Sequence, residues 1–166
     1  MKYELRKWKI SDAEDIVKYA NNPKIAANLR DGFPYPYTID NAKFFINACL
    51  DKNNKNYLRA ITINNKIIGS IGVMFKDDIY KKSAEIGYWL AEPFWRKGIM
   101  SEVIIETSEY IFNNYDIIRI YAEPFATNIG SRKVLENAGF TLEGILLKSV
   151  FKNGVILDSC IYAKIK

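Results

Sequence analysis

Between Ala84 and Ala91 the chain alternates. Ile86, Tyr88 and Leu90 fall on one side of an extended backbone, and Gly87, Trp89 and Ala91 on the other. That period predicts a half-buried strand from about Ser83 to Ala91. Pro93 removes a backbone donor and ends the ladder. After Trp95-Arg96-Lys97-Gly98 the period changes. Met100, Val103, Ile104, Thr107 and Ile111 recur at helical spacing, which predicts a helix to about Asn113.

The same reading carries along the chain. Tyr3 to Lys9 is expected as a first strand. Ser11-Asp12-Ala13-Glu14 has the form of a capping box for a helix with Ala13, Ile16, Val17 and Ala20 inward. A short helix from Pro23 to Ala27 follows. Residues 28–37, NLRDGFPYPY, hold two prolines, a glycine and three aromatics, and form neither a long helix nor a central strand. Thr38 caps a helix to about Leu50, with Ala42, Phe45, Ile46 and Cys49 inside.

Tyr57 to Ile63 and Lys66 to Phe75 read as a hairpin turned at Asn64-Asn65. Gly69 and Gly72 mark bulges or close backbone approaches. Ile117 to Ala122 is an isoleucine-rich interior strand. Asn128 opens a helix with Val134, Leu135 and Ala138 inward, closed by Gly139. Thr141 to Phe151 and Val155 to Ile165 pair through Asn153-Gly154. The order β-α-α-β-β-β-α-β-α-β-β predicts an α/β (α+β) fold with a mixed sheet and helices on both faces. No linker or repeat interrupts it, so a single domain over 1–166 is expected.

Composition narrows the function. The net charge is +5, but the basic residues are scattered, which argues against a nucleic-acid partner and allows an anionic cofactor. No apolar run approaches the roughly 18 residues of a membrane span, and the first ten residues do not form a signal peptide. Cys49 and Cys160 have no metal spacing, and a reduced, cytoplasmic protein is expected. Histidine is absent, which removes imidazole from any mechanism and makes a catalytic zinc site unexpected.

Candidate chemistry gathers at the turn. A helix start offers unpaired N–H groups and partial positive charge, and Arg96 and Lys97 add two cations beside Gly98. Such a place suits a diphosphate, although a glycine and a basic residue at a strand–helix junction are also ordinary structure. Two blocks then carry a resemblance. Trp95-Arg96-Lys97-Gly98-Ile99-Met100-Ser101-Glu102 resembles the basic-x-x-Gly-x-small turn of the GNAT acetyltransferase superfamily. Asn128-Ile129-Gly130-Ser131-Arg132-Lys133-Val134-Leu135-Glu136-Asn137-Ala138-Gly139-Phe140 with Glu143-Gly144 is similar to the signature of its RimJ/RimL-like branch.

The resemblance implies a mostly antiparallel sheet of about seven strands with a splayed central parallel pair. It implies acetyl-CoA as co-substrate, no metal, and an amine acceptor that is a protein N-terminus or a small molecule. Arg96, Lys97, Gly98, Ile99, Met100 and Ser101 would seat the diphosphate. The backbone of Tyr88, Trp89 and Leu90 would pair with the pantetheine arm and polarise the thioester. Asn128 would hold the pantetheine or simply cap its helix. The tyrosine that many GNAT enzymes use as acid falls at Leu135, and Ser131 is the replacement the branch suggests; its other reading is a helix-start residue. Glu85 is the first choice for base, directly or through a water, against the alternative of a salt-bridged sheet carboxylate; Asp31 and Glu123 are weaker choices. The 28–37 loop would present Arg30, Asp31, Phe33, Tyr35 and Tyr37 to the acceptor, or act as an aromatic clasp. A monomer or homodimer is expected, with no membrane partner. A CoA-binding regulatory module without catalysis is the alternative function.

Deprotonation cost bears on the acceptor. At pH 7 a free α-amine costs roughly 1 kcal/mol to deprotonate and a lysine roughly 4.6 kcal/mol. A site without histidine handles the first more easily.

Overall fold

A computed structural model describes residues 2–166. Seven strands form one sheet in the order β1-β2-β3-β4-β5-β7-β6. They are β1 (Glu4–Arg6), β2 (Tyr57–Ile63), β3 (Lys66–Phe75), β4 (Ser83–Leu90), β5 (Arg119–Ala122), β6 (Thr141–Lys152) and β7 (Val155–Ile165). The helices are α1 (Ala13–Ala20), α2 (Pro23–Ala26), α3 (Ile39–Leu50), α4 (Ile99–Asn114) and α5 (Ile129–Asn137). The sheet is mixed, as the pattern predicts: β1–β2, β5–β7 and β6–β7 pair antiparallel and β4–β5 parallel.

The chain divides into two compact units. The first takes the residues up to Gly72 together with Tyr88–Ile99. Its core joins Trp8, Ala13, Ile16, Ala20, Tyr37, Ala42, Ile46, Ala60, Ile67 and Trp89. The inward faces of α1 and α3 are therefore those their apolar spacing indicates. Trp8 meets Phe45 edge-on at 5.2 Å between ring centroids, a geometry worth about 0.5–1.5 kcal/mol beyond the area buried. Thr38 caps α3 as expected: its hydroxyl accepts from the Asn41 N–H at 3.3 Å and the Thr38 N–H donates back to Asn41 Oδ1 at 2.9 Å.

The start of α1 differs from the expectation. Ser11 is exposed, and no side chain caps the helix. Asp12 organises the approach instead. Its carboxylate accepts two hydrogen bonds from Arg6, at 2.7 and 2.8 Å, and one from the Lys9 N–H at 2.8 Å. A bidentate, half-buried guanidinium–carboxylate pair outweighs a solvated serine cap. It also ends β1 at Arg6, short of the expected Lys9.

Gly69 is a close backbone approach, as read from the sequence. A Cβ there would sit 2.4 Å from the Trp89 carbonyl oxygen. Asn64 and Asn65 both take positive φ, the backbone a tight hairpin turn demands.

The second unit takes Val73–Gly87 and Met100–Lys166. Met100, Val103, Ile104, Thr107 and Ile111 of α4 are all buried, with Ile120, Leu135 and Tyr162. β4 pairs with β5 at Ser83↔Arg119, Ala84↔Ile120 and Glu85↔Tyr121, and β4 then runs on to Leu90. β7 returns from the Asn153-Gly154 turn, where both residues again have positive φ. Opposite it, β6 shifts register between Leu146 and Val150.

Candidate active site

In the first unit the candidate residues lie on the end of β4 and the turn that follows. The Ala91 N–H donates to the Ile68 carbonyl at 2.7 Å, and a 3-10 turn over Glu92–Phe94 takes the chain away. Trp95 then folds back: its indole N–H donates to the Leu90 carbonyl at 2.6 Å. This contact holds the turn to the strand end, and it occupies one acceptor of a carbonyl expected to face a cofactor arm.

The turn itself has an unusual backbone. Arg96 has φ 59° and Gly98 φ 78°. A left-handed non-glycine residue costs of order 1–3 kcal/mol, and alternating handedness turns successive N–H groups toward a common concavity that suits an anion. Arg96, Lys97 and Gly98 are exposed, and the space around Gly98 is open, with nothing within 4 Å of a built Cβ. Ile99 and Met100 are buried and fix the first turn of α4. Its leading N–H groups have no acceptor within the helix. These features fit a diphosphate.

The 28–37 loop splits into anchors and surface. Phe33 packs on Tyr37 at 4.8 Å and on Trp89 at 5.9 Å between centroids. The Tyr37 N–H donates to Asn21 Oδ1 at 3.1 Å. Burial, with the Cys49 thiol nearby, pushes the Tyr37 hydroxyl up to about 12; burial alone pushes Cys49 up to about 12. Phe33 and Tyr37 thus form the clasp of the alternative reading, while Arg30, Asp31 and Tyr35 stand exposed.

In the second unit Glu85 is buried, and its carboxylate accepts from the Lys76 ammonium at 3.0 Å. Lys76 also lies 5.6 Å from the centre of the Tyr121 ring. Burial works against the Lys76 charge, but hydrogen bonds to Glu85 and Tyr121 outweigh it and raise the ammonium above its usual range. Asn128 caps α5, its Oδ1 accepting from the Ser131 N–H at 3.1 Å, so both residues sit in one helix start. Ser101 donates to the Val134 carbonyl at 3.4 Å, joining α4 to α5. Leu135, at the position of the usual tyrosine, is fully buried.

Two side-chain networks escape sequence reasoning. Arg132 donates to Tyr162 Oη at 3.2 Å and to the Ala126 carbonyl at 3.1 Å, and Tyr162 donates to Glu136 at 2.8 Å. Glu123, just past β5, accepts from Ser159, which meets Ser149. The side-chain partners are 10 to 36 residues apart, and no local spacing announces them.

Comparison with known proteins bears on the family and the fold. A family model described as acetyltransferase (GNAT) domain matches residues 2–141. YoaA of Bacillus subtilis (strain 168), an uncharacterised N-acetyltransferase, is 35% identical over 101 residues, 61% of this chain and 56% of its own length, so the match spans little more than half of that relative. The microcin C7 self-immunity acetyltransferase MccE, solved with acetyl-CoA and AMP, superposes with a TM-score of 0.86 at 29% identity over 99% of this chain and 93% of its own. RimL, a ribosomal-protein α-N-acetyltransferase solved with coenzyme A, superposes with a TM-score of 0.88 at 25% identity over 99% and 94% of the two chains. Sheet order and family match converge: this chain belongs to the GNAT acetyltransferase family.

Proposed function

We propose that the protein is an acetyl-CoA-dependent N-acetyltransferase that moves an acetyl group directly to a primary amine. The observation that carries this reading is the turn at Arg96–Gly98, left-handed at both ends and opening onto the start of α4. Its amides and two cations would bind the diphosphate of the co-substrate, which supplies the activated acetyl group. The backbone at Tyr88, Trp89 and Leu90 would orient the thioester.

Ser131 is proposed as the group that meets the departing sulfur. In the first turn of α5 its hydroxyl and the helix dipole both favour an anion. Asn128 sets that turn by capping it. Glu85, the base expected from the sequence, is paired to Lys76. That pair supports the alternative reading of Glu85 as a salt-bridged sheet carboxylate, and a direct or water-mediated base role would act from a carboxylate held by Lys76.

For the acceptor we propose an α-amine or another weakly basic amine, because the cost of deprotonation is lowest there. The name of RimL, an α-N-protein acetyltransferase, supports that class. Residues 30–35 would meet the acceptor, with Phe33 and Tyr37 as their anchor. The test is release of free thiol from acetyl-CoA with peptides bearing free N-termini, polyamines and amino sugars. Turnover with one of these is expected; tight CoA binding without turnover on any of them replaces the reading with a non-catalytic CoA-binding module.

A further inference from the structure

The last hairpin of the sheet carries a bare apolar stripe. β6 is an edge strand, paired on one side only, to β7. Leu142, Ile145 and Phe151 of β6 stand opposite Tyr162, Cys160 and Ile156 of β7. Directly opposed residues of a ladder share a face of the sheet, so these six lie on one face. Its inner end is filled: Tyr162 and Cys160 are fully buried, and Tyr162 is bound to Arg132 and Glu136 of α5. Its outer end is open. Phe151 is 72% and Ile156 60% exposed, and Leu142 and Ile145 are exposed beside them.

The irregularity in β6 adds a knob to the stripe. Leu146 pairs with Ser159 and Val150 with Leu157, so Leu147, Lys148 and Ser149 stand opposite Asp158 alone. Hydrogen bonds fix this bulge. The Lys148 N–H, on a backbone with φ 54°, donates to the Asp158 carboxylate at 2.7 Å. Ser149 Oγ lies 2.7 Å from Oγ of buried Ser159, which donates to Glu123 at 3.0 Å. The first residue of the bulge is nonetheless left outside: Leu147 is 76% exposed. A bulge re-aims a side chain, and a bare leucine on a backbone already fixed loses little freedom on binding.

Area and charge say what fits there. Leu142, Ile145, Leu147, Phe151 and Ile156 leave on the order of 600 Å² uncovered, the top of the range for the largest patch on a monomer. Two such patches together bring on the order of 1,200 Å², where stable protein interfaces begin. The bulge and left-handed Lys148 interrupt the row of backbone groups that an added strand would need. The contact is therefore made by side chains. The charge around the stripe is mixed: β6 carries Glu143, Lys148 and Lys152, and Glu143 is answered by Arg119. Such a surface sets up no field to draw a polyanion or an anionic bilayer.

We propose that this stripe is the contact between two copies of the chain in a two-fold dimer. In a two-fold contact the same patch serves both partners, and the assembly closes at two. Leu147 lies along β6 between the Leu142–Ile145 end and the Phe151–Ile156 end, so it stands nearest the two-fold axis. Each copy's Phe151 end packs on the other's Leu142 end. Phe151 and Leu147 are the anchors, an aromatic ring and a fixed knob. None of these residues is assigned to the co-substrate or the acceptor, so the contact stands apart from the acetyl-transfer reading.

The experiment is sedimentation equilibrium of the full chain at micromolar concentrations, with circular dichroism to check folding. The wild type is expected at twice the mass of one chain. Leu147→Asp and Phe151→Asp should each weaken the dimer about thirtyfold per copy of the contact, hence about a thousandfold in a two-fold interface, and leave monomer. Both side chains are bare in the single chain, so neither change disturbs the core. Phe44→Asp and Ile79→Asp, at sites that are both 79% exposed elsewhere on the surface, should keep the dimer. Should one stripe variant fail to fold, the other carries the test. A monomeric wild type overturns the proposal, and flotation of that monomer with phosphatidylserine-containing vesicles would give the stripe to a membrane surface instead. A dimer that survives both stripe substitutions, or one lost equally with Phe44→Asp and Ile79→Asp, overturns it too.

Discussion

Replacing Gly69 by alanine tests how tightly the sheet is drawn together beneath the proposed thioester-binding strand. The new methyl would lie 2.4 Å from the Trp89 carbonyl oxygen, 3.2 Å from Leu90 Cα and 3.3 Å from Ile61 Cδ1. The first of these is about 1 Å inside ordinary contact, and the obstacle is backbone that no rotamer can clear. Overpacking of this kind costs about 1–3 kcal/mol. For a chain of this length each kcal/mol lowers Tm by about 2–4 °C, so a fall of about 2–12 °C is expected. Moving the Trp89 carbonyl should also weaken CoA binding, measured by calorimetry. Gly87→Ala is the control, because its Cβ would meet Met74 Cε at an ordinary 3.6 Å. It should melt at or slightly above the wild type, since alanine gives up less chain entropy. A Gly69→Ala protein with wild-type Tm and wild-type CoA affinity would refute the close approach and its link to the binding strand.

Other perturbations address the rest of the site. Gly98→Glu puts negative charge and a strained side chain at φ 78° into the diphosphate seat, and CoA binding should be lost; unchanged affinity by calorimetry rules out the assignment of the turn. Ser131→Ala should lower kcat more than it lowers CoA affinity, and equal turnover removes the acid role. Tyr37 and Cys49 have folded-state values raised to about 12 from 10.0 and 9.0. Their protonated forms therefore contribute stability that is complete below about pH 9 and lost as pH rises towards 12. Denaturant melts between pH 9 and 12 should show this decline, and Tyr37→Phe should make it shallower.

The elements legible in the sequence are those whose causes are local. The Asn64-Asn65 and Asn153-Gly154 turns need positive φ, and asparagine and glycine tolerate it. Thr38 caps α3 because its partner is three residues away. Spacing also finds the buried face of α4. Ser11 misleads because Asp12, salt-bridged to Arg6 of β1, settles the approach to α1 from outside the local window. At the site, the turn at Arg96–Gly98 is legible because its glycine and its two cations are consecutive. The position of Glu85 on β4 is legible, but its Lys76 partner is set by strand pairing. The Glu123–Ser159–Ser149 line depends on a three-residue bulge opposite Asp158, and nothing in the spacing of serines foretells where a ladder slips.

Trp95 gives the protein a built-in optical reporter. Of the three tryptophans, Trp8 and Trp89 are 3% and 9% exposed, and Trp95 is 37% exposed with its indole N–H tied to the Leu90 carbonyl. A soluble quencher such as iodide would reach its emission selectively and leave the two buried indoles dark to the titration. Occupancy of the adjoining turn would shield that one ring, so a fluorescence titration with the native chain reads docking without a label or a turnover assay.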